Sequence, residues 1–538
     1  TGALGHTSSQ TVTRVLHYKG EVFDSTMSPL YAFVSVLTIL LSGLADLSET
    51  ASLAATTDGS GKVVCYVGTW ANYRTGAGKF VIEDIDPFLC THVIYAFAKL
   101  GPDNRIAPYD AYLDLKENWG LGAYERLNAL KKKNPKLKTL IAIGGWNEGS
   151  TKYSNMASNP QTRKVFADSC VEFLQKYNFD GLDVDWEYPA NRGGASADKG
   201  NFVLLLKDLR EAFKANGYLL TAAVSAGKAT IDTAYDIPGI SQYLDFINLM
   251  TYDFDGAWSS KTGHNAPLYG NKQLGADQEF LNVEFAVKYW IQKGAPPSKL
   301  ILGVPFYGRC FSLQNPTTNG VGAPSSGSGL AGPYTKEPGF LGYNEICEMM
   351  DGDGSWKKVF DEVQQVPYAY QDKQWVSYDN MKSIALKVQF AKKMKLGGAM
   401  VWSIETDDFK GNCKDGRYPL LNTIKKNLKG LEPDDTDLPT EQPVTDEPFK
   451  TRPTPNARRE STTEKPVPSE ATTDNKSPCK EPGYFVHPKT CKKFINCVQN
   501  YPSGFTVYEF DCPPGTLYST KMKVCTFPYQ VSECKEKV

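Results

Sequence analysis

Eight short apolar runs, spaced so that a helix fits between successive runs, most constrain the fold of this 538-residue chain. They occupy residues 62–68, 92–98, 139–145, 181–187, 219–225, 246–252, 300–308 and 397–405. Segments between them, such as 162–177 and 201–216, carry apolar residues at three- and four-residue spacings, as amphipathic helices do. Alternating strands and helices predict an α/β fold with a parallel sheet, and eight repeats predict a closed (β/α)8 TIM barrel. The rival architecture is a doubly wound sheet, but no GxGxxG sequence follows the first run.

One interval is too long for a single crossover helix. About ninety residues separate the seventh run from the eighth, and they include Gly- and Ser-rich as well as aromatic stretches. We therefore expect an inserted α+β subdomain over about residues 309–390. It should form one wall of a cleft at the C-terminal face of the barrel, where TIM barrels bind their substrates.

Charge and cysteine content narrow the class of partner. Lys and Arg number 59 against 60 Asp and Glu, so the chain has no basic excess for nucleic acid or an anionic membrane. Six of the 12 cysteines lie between Cys65 and Cys413 and six between Cys479 and Cys534, with no CxxC pair and only 5 histidines. This pattern predicts disulfides in an oxidising compartment and no metal or other cofactor.

The N-terminal region predicts secretion. Met27 opens an apolar run that is short for a transmembrane helix and suits a signal peptide over residues 27–45, with cleavage after Ala45. Residues 1–26 would then be a non-native leader. The alternative is a membrane-anchored or buried helix, because no Lys or Arg lies between Met27 and the apolar run, where a signal peptide usually carries positive charge.

The C-terminal region predicts a linker and a second module. The barrel is expected to span residues 62–430. Residues 431–478 are rich in Pro, Thr, Ser and charged residues and cannot bury enough surface to fold, so we predict an extended linker. Residues 479–534 would then form a small module stapled by disulfides.

The fourth run, FDGLDVDWEYP, places Asp183, Asp185 and Glu187 at every second position. Alternate side chains of a strand share a face, so the three carboxylates should point into the barrel with Glu187 nearest its C-terminal rim. Poorly solvated carboxylates about 7 Å apart cannot all ionise comfortably, so one should stay neutral and be able to protonate a leaving group. The alternative is a charge network that stabilises the barrel, but no Lys or Arg lies within the run to neutralise it.

This run resembles the DxxDxDxE signature of family 18 glycoside hydrolases, the chitinase family. Four further segments resemble the family's barrel strands: CYVGTWANYR (65–74), AIGGWNEGS (142–150), MTYD (250–253) and GAMVWSIETDD (398–408). The resemblance covers about residues 62–430. Ala142 and Cys310 stand where the family usually has Ser, which implies tuning of the site rather than loss of the acid.

The resemblance implies a retaining mechanism without an enzyme nucleophile, an exception to the usual pair of carboxylates. Glu187 would protonate the scissile oxygen while the 2-acetamido carbonyl of the sugar attacks the anomeric carbon. Asp185 would hydrogen-bond the acetamide N–H, and Asp183 would share a proton with Asp185. The Tyr252 hydroxyl would hold the acetamide oxygen, and Asp180 would have a structural role.

The resemblance also implies the residues that contact the sugars. Trp402 would form the floor of the sugar site, and Asp253 would hold a sugar from the same rim. The other positions that match the cleft of the family are Trp146, Tyr66, Tyr307 and Arg309, while Met250 packs in the barrel core or contacts substrate. For each aromatic residue the alternative is ordinary core packing.

The last six cysteines and the aromatic residues between them resemble the peritrophin-A type of chitin-binding domain. Spacing alone leaves fifteen pairings open. The resemblance implies Cys479–Cys497, Cys491–Cys534 and Cys512–Cys525 here, and Cys65–Cys90 and Cys347–Cys413 in the barrel. Cys170 and Cys310 stay unassigned, and the alternative is a disulfide-rich module of another specificity.

Together these features predict a secreted, monomeric chitinase of the arthropod type that cleaves internal β-1,4 bonds between N-acetylglucosamine units. Its partners would be chitin and chitin oligosaccharides, without nucleic acid and without a membrane once the signal is cleaved. Two alternatives stay open: a catalytically weak chitin-binding lectin, and an endo-β-N-acetylglucosaminidase that acts on protein-linked glycans.

Overall fold

The computed structural model describes residues 61–352, 354–428, 483–499, 505–512, 517–520, 524–526 and 531. The chain divides into two compact units, Thr1–Pro439 and Thr440–Val538. The predicted leader (1–26), signal peptide (27–45) and linker (431–478) lie outside the described residues. Within the described part of the chain, every helix falls short of the length and apolarity that a membrane span requires.

The first unit is built on the predicted barrel. Its strands, in chain order, are β1 (Lys62–Gly68), β2 (His92–Leu100), β3 (Ile106–Pro108), β4 (Lys138–Gly144), β5 (Gly181–Asp185), β6 (Leu219–Ser225), β7 (Phe246–Met250), β8 (Leu300–Pro305), β9 (Tyr307–Leu313), β10 (Ser325–Ser328), β11 (Phe340–Gly342), β12 (Lys357–Asp361), β13 (Val366–Gln371), β14 (Gln374–Ser377) and β15 (Gly398–Trp402). Parallel pairing runs β1-β15-β8-β7-β6-β5-β4-β2, and a β1–β2 pairing closes the ring. The (β/α)8 prediction is confirmed.

Most helices of the first unit cover the outside of the barrel. They are α1 (Ala111–Asp114), α2 (Ala123–Ala129), α3 (Thr151–Ser158), α4 (Pro160–Tyr177), α5 (Asp198–Phe213), α6 (Lys228–Ala234), α7 (Ile237–Tyr243), α8 (Val283–Gln292), α9 (Tyr343–Asp351), α10 (Met381–Lys393) and α11 (Pro419–Leu428). The α4 boundaries follow from local chemistry, because the Asn159 side chain accepts a hydrogen bond from Gln161 N and Pro160 occupies the first turn. Asn178 ends the helix in the left-handed conformation.

The inserted subdomain follows directly on the seventh barrel strand. An antiparallel sheet, ordered β10-β9-β14-β13-β12 with β11 against β9, spans Tyr307–Ser377 and carries α9. The sequence placed this insertion at about residues 309–390, but α10 (Met381–Lys393) packs against β8 and β15 as a barrel helix does. The helical periodicity of residues 381–393 is the same whether the helix covers the barrel or the insertion, so the pattern could not locate this boundary.

Two apolar layers lie on opposite faces of the barrel strands. Leu182 and Val184 of β5 belong to the layer between strands and helices, whereas Asp183 and Asp185 alternate with them and point inward. The inner layer contains Val64, Tyr66, Ile94, Ala96, Leu140, Ala142, Ala223, Phe246, Ile301 and Met400. An aspartate pair therefore stands in an otherwise mostly apolar interior.

The second unit, in its described part, is a small β module. Strands β16 (Gly483–His487), β17 (Thr490–Gln499) and β18 (Phe505–Asp511) form an antiparallel sheet, and β19 (Leu517–Ser519) pairs with β20 (Val524–Thr526). The Phe494 and Tyr518 rings stack at 5.0 Å. Cys491, Cys497 and Cys512 are disulfide-bonded, whereas Cys479 and Cys534 lie outside the described residues, so the three pairings here remain predictions.

Candidate active site

Strand β5 delivers the carboxylates to the C-terminal rim of the barrel, where its neighbour β4 approaches unusually closely. The strand ends at Asp185, so Trp186 and Glu187 lie just beyond it rather than inside it as the apolar run predicted. Gly145 N donates a hydrogen bond to Asp185 O at 2.8 Å. A Cβ on Gly144, whose φ is +118°, would lie 2.0 Å from Asp185 O, so only glycine fits there.

Asp183 is buried at the centre of a hydrogen-bond network that crosses the barrel. Its carboxylate accepts from the Tyr66 hydroxyl at 2.6 Å, from the Thr221 hydroxyl at 2.6 Å and from Asn248 Nδ2 at 3.1 Å. Burial raises the pKa of Asp183 to about 6, and these three donors act in the opposite direction by stabilising the ionised form. Asp183 is therefore held as a carboxylate at neutral pH.

The surroundings of Asp185 and Glu187 raise the pKa values of both groups and so favour their protonated, neutral forms. Burial raises the pKa of Asp185 well above its ordinary value, and the negative charges of Glu187 and Asp183 raise it further. Among the described residues, no hydrogen-bond donor reaches Asp185 Oδ1. Burial also raises the pKa of Glu187 to about 7, while Tyr188 and Arg192 favour its charged form. The sequence prediction attributed the retained proton of Glu187 to the neighbouring carboxylates, Asp183 and Asp185. In the structure the largest cause of its raised pKa is burial.

Tyr252 lies beside this carboxylate column with its hydroxyl weakly engaged. The hydroxyl points to Met400 Sδ at 3.9 Å, and sulfur is a weak acceptor. Burial and the nearby Tyr307 and Asp185 raise the pKa of Tyr252, so it stays a protonated donor. Met250, at the end of β7, is partly buried against the inner apolar layer.

Asp253 links the barrel to the inserted subdomain. Its carboxylate accepts from the Tyr307 hydroxyl and from Arg309 Nε, each at 2.7 Å. Asn265 holds the same turn from behind, because its Oδ1 accepts from Asp253 N and its Nδ2 donates to Tyr307 O. The Arg309 guanidinium also lies over the ring of Trp258, which is exposed. This cluster forms one side of the rim.

Trp402, at the end of the last strand, lies within a group of aromatic rings. Its ring is 5.8 Å from the stacked Phe97, 5.4 Å from Tyr66 and 6.1 Å from the exposed Trp70. Tyr66, which the resemblance placed along the cleft, is instead 1% exposed. It reaches Asp183 rather than solvent, because its side chain occupies an inward position of β1.

Trp146 follows directly after β4, and the Arg192 side chain connects its backbone to that of Glu187. Its indole is 60% exposed, and the Arg192 guanidinium lies 3.5 Å from the ring centroid. An exposed flat ring beside a carboxylic acid can bind the apolar C–H face of a pyranose.

Several residues of the site were not predicted from sequence: Thr221, Asn248, Asn265, Trp70, Phe97, Trp258, Tyr188 and Arg192. For Thr221 and Asn248 a signal existed, because each is a polar residue at an inward position of a mostly apolar strand. The others lie in loops, or in Phe97's case near a strand end, where spacing carries no such information.

Cysteines in the barrel unit serve structure. The disulfides Cys65–Cys90 and Cys347–Cys413 both form as expected, and Cys170 and Cys310 are buried free thiols. Cys347, Asp408 and Cys413 come within 4.8 Å of one another as metal ligands would. However, the two sulfurs are joined to each other and Asp408 accepts backbone hydrogen bonds from Gly411, Asn412 and Cys413. This cluster is therefore a turn stabilised by a disulfide and by hydrogen bonds to Asp408.

Comparison with known families agrees with this geometry. The model of glycosyl hydrolases family 18 matches residues 62–407, and that of the chitin binding Peritrophin-A domain matches residues 479–534. The chain belongs to family 18 of the glycosyl hydrolases. Its rim carboxylates thus lie where a glycoside hydrolase of TIM-barrel fold carries out its chemistry.

Relatives of this family 18 protein include enzymes and a binding protein. It is 42% identical over 478 residues to chitotriosidase-1 of Mus musculus, covering 87% of this chain and 95% of that protein. A group IV chitinase of Ostrinia furnacalis, solved with allosamidin, superimposes with a TM-score of 0.67 at 50% identity, covering 68% of this chain and 98% of that one. Human YKL-39, a pseudo-chitinase with retained chitooligosaccharide binding, superimposes at 0.64 with 43% identity, covering 69% and 100%.

Proposed function

We propose that this protein is a secreted chitinase that hydrolyses internal β-1,4 bonds between N-acetylglucosamine units with retention of configuration. The observation that carries the proposal is a carboxylic acid at the barrel rim, Glu187, whose pKa burial raises to about 7. Such an acid is about half protonated at pH 7, where a carboxyl of ordinary pKa is ionised, and its protonated form can donate to a leaving group. Family membership and the chitinases among its relatives support the same substrate class.

In this mechanism Glu187 donates its proton to the glycosidic oxygen as the bond to the anomeric carbon breaks. The acetamide carbonyl of the same sugar forms the new bond to that carbon, giving an oxazolinium ion. Glu187, now a carboxylate, removes a proton from water as the water oxygen attacks the anomeric carbon and reopens the ring. Because nucleophile and electrophile belong to one sugar, correct orientation alone accelerates the step by several orders of magnitude.

The residues around Glu187 supply that orientation. Asp185 Oδ1, buried and lacking a donor among the described residues, can accept the acetamide N–H. The Tyr252 hydroxyl can donate to the acetamide oxygen, since its only contact within reach is a weak sulfur acceptor among the described side chains. The proton sharing between Asp183 and Asp185 takes a more specific form here: Asp183, with three donors, is the ionised partner, and Asp185 keeps the proton.

The second unit would hold the enzyme on insoluble substrate. A peritrophin-A module joined by the predicted linker would raise the concentration of chitin near the barrel without adding a catalytic contact. This arrangement is useful outside the cell, where chitin is found as a solid, and it fits the disulfides of both units. We propose that the secreted protein acts as a monomer.

A reducing-end assay on a chitin hexasaccharide tests this proposal. Glu187→Gln keeps the shape of the side chain but cannot donate a proton, and we expect it to lower kcat by about 10²–10⁴-fold. Glu172→Gln, at an exposed ion pair with Arg105, is the matched control and should behave as wild type.

Each alternative gives its own result in the same assay. A lectin would release equally small amounts as wild type and as Glu187→Gln while both bind the oligosaccharide. An endo-β-N-acetylglucosaminidase would leave the hexasaccharide intact and release glycans from a glycoprotein. Either result would overturn the chitinase proposal.

A further inference from the structure

Arg192 ties the backbone of Glu187 to that of Trp146. Its Nη1 donates one hydrogen bond to Glu187 O and another to Trp146 O, both at 2.9 Å. These two carbonyls belong to different loops, one after β5 and one after β4. A single cationic nitrogen therefore bridges the acid and the exposed ring across the strand boundary.

The same side chain also fixes the orientation of the Trp146 ring. The guanidinium lies 3.5 Å from the ring centroid, within the range of stacking and cation–π attraction. It covers one face of the indole, while the side chain remains 60% exposed. A pyranose can therefore use only the opposite face, which fixes on which side of Trp146 a sugar lies.

Arg192 itself is held in an uncommon backbone conformation. Its φ is +51°, and Ala190, two residues earlier, has a φ of +60°. Non-glycine residues adopt this left-handed region infrequently, and such positions cluster at functional sites. Nearby, the Ser150 hydroxyl donates to Tyr188 O at 2.8 Å, which anchors the start of the loop that carries Arg192.

We propose that Arg192 is a positioning residue that locks Glu187 and Trp146 into one unit, so that a sugar on the free face of Trp146 meets the acid at a fixed distance. The inference rests on the proposed function, because it takes Glu187 as the acid. A displacement of about 1 Å at such a site can cost about 100-fold in rate.

The charge of Arg192 adds a second, separable effect. Arg192 lowers the pKa of Glu187, opposing the burial that raises it. Because the Arg192 side chain is exposed, salt should screen this effect. A purely structural role in the loop would not move the pH profile in this salt-dependent manner.

Two variants separate position from charge. Arg192→Lys keeps the charge but cannot stack and bridge with a planar fork, whereas Arg192→Gln keeps a donor and loses the charge. We expect both to lower kcat/KM on a chitin hexasaccharide by about 10-fold or more. Only Arg192→Gln should raise the pH at which activity falls, by some tenths of a pH unit at low salt and less at high salt. Arg105→Gln, at an exposed ion pair, is the matched control.

The outcomes distinguish this inference from the proposed function. An inactive wild type would refute the proposed function. An active wild type with kcat/KM and pH profile unchanged in both Arg192 variants would refute only the positioning role, even if the melting temperature fell. A binding measurement in the Glu187→Gln background gives an independent result: adding Arg192→Lys should weaken the oligosaccharide affinity about 3- to 10-fold, and equal affinity would count against the inference.

Discussion

The alkaline limb of the pH–activity profile should report the proton on Glu187. Burial raises its pKa from an ordinary 4.5 to about 7, which corresponds to about 3 kcal/mol against the ionised form. Only the protonated acid can donate to the glycosidic oxygen. We therefore expect kcat/KM to be at half of its maximum near pH 7 and to fall about tenfold for each further pH unit.

The assay is reducing-end release from a soluble chitin oligosaccharide at pH values from about 4 to 9, at low and at high salt. Because burial is the largest cause of the raised pKa, salt should move the limb by only a few tenths of a pH unit. Glu187→Gln should lose the limb together with the activity.

The free energy of unfolding should also depend on the proton of Glu187, and the direction of this pH dependence can be worked out. Between about pH 4.5 and 7 the folded protein keeps a proton on Glu187 that the unfolded chain has lost, so the free energy of unfolding falls as pH rises through this window. Glu187→Gln removes this term and should be more stable than wild type above pH 7, by up to about 3 kcal/mol. Asp183 and Asp185 have pKa values shifted in the same direction, so the difference between variant and wild type is the quantity to measure.

Two results would refute this reasoning. An alkaline limb centred below about pH 5.5 would mean that Glu187 is solvated well enough to ionise near its ordinary pKa. A limb that high salt moves by a full pH unit would mean that neighbouring charges, rather than burial, control the acid.

Three further outcomes follow from the packing. Thr221→Val removes one donor from the buried Asp183 and should lower the free energy of unfolding by about 2 kcal/mol at pH 8, and by less at pH 5, where the carboxyl is protonated; urea titration at the two pH values measures the difference. Lys387→Met leaves Asp379 as a buried unpaired charge and should cost about 3–5 kcal/mol in the same assay, while adding Asp379→Leu should recover most of the loss. Deleting residues 431–538 should lower activity on crystalline chitin and leave kcat/KM on a soluble hexasaccharide unchanged, and an equal loss on both substrates would refute the tethering role.

Periodicity predicted the barrel because its strands are buried and short. Each of the eight predicted runs overlaps an observed strand, and the strand β5 places Asp183 and Asp185 inward as alternation requires. The end of β5 was misplaced, because Trp186 continues the apolar pattern while its side chain packs outside against Tyr153 and Phe202.

The spacing of residues in the sequence could not predict hydrogen-bond partners that are distant along the chain. Tyr66 and Asn248 are 117 and 65 residues from Asp183 in sequence and bind it only because the barrel closes. Tyr66 was expected in the cleft because it matches a cleft position of the family, and only the closed barrel shows that its side chain points at Asp183.

The amino-acid pattern was enough to predict that Asp183 and Asp185 ascend one strand toward the binding face of an eight-stranded barrel and that Glu187 follows them at the rim, since side-chain direction follows from the two-residue repeat of a strand. The protonation of these groups depends instead on the folded structure. Three donors from β1, β6 and β7 favour the ionised form of Asp183, whereas enclosure by the barrel raises the pKa values of Asp185 and Glu187. The reason is that a pKa depends on the solvent and charges around a group, and these are set by residues distant along the chain.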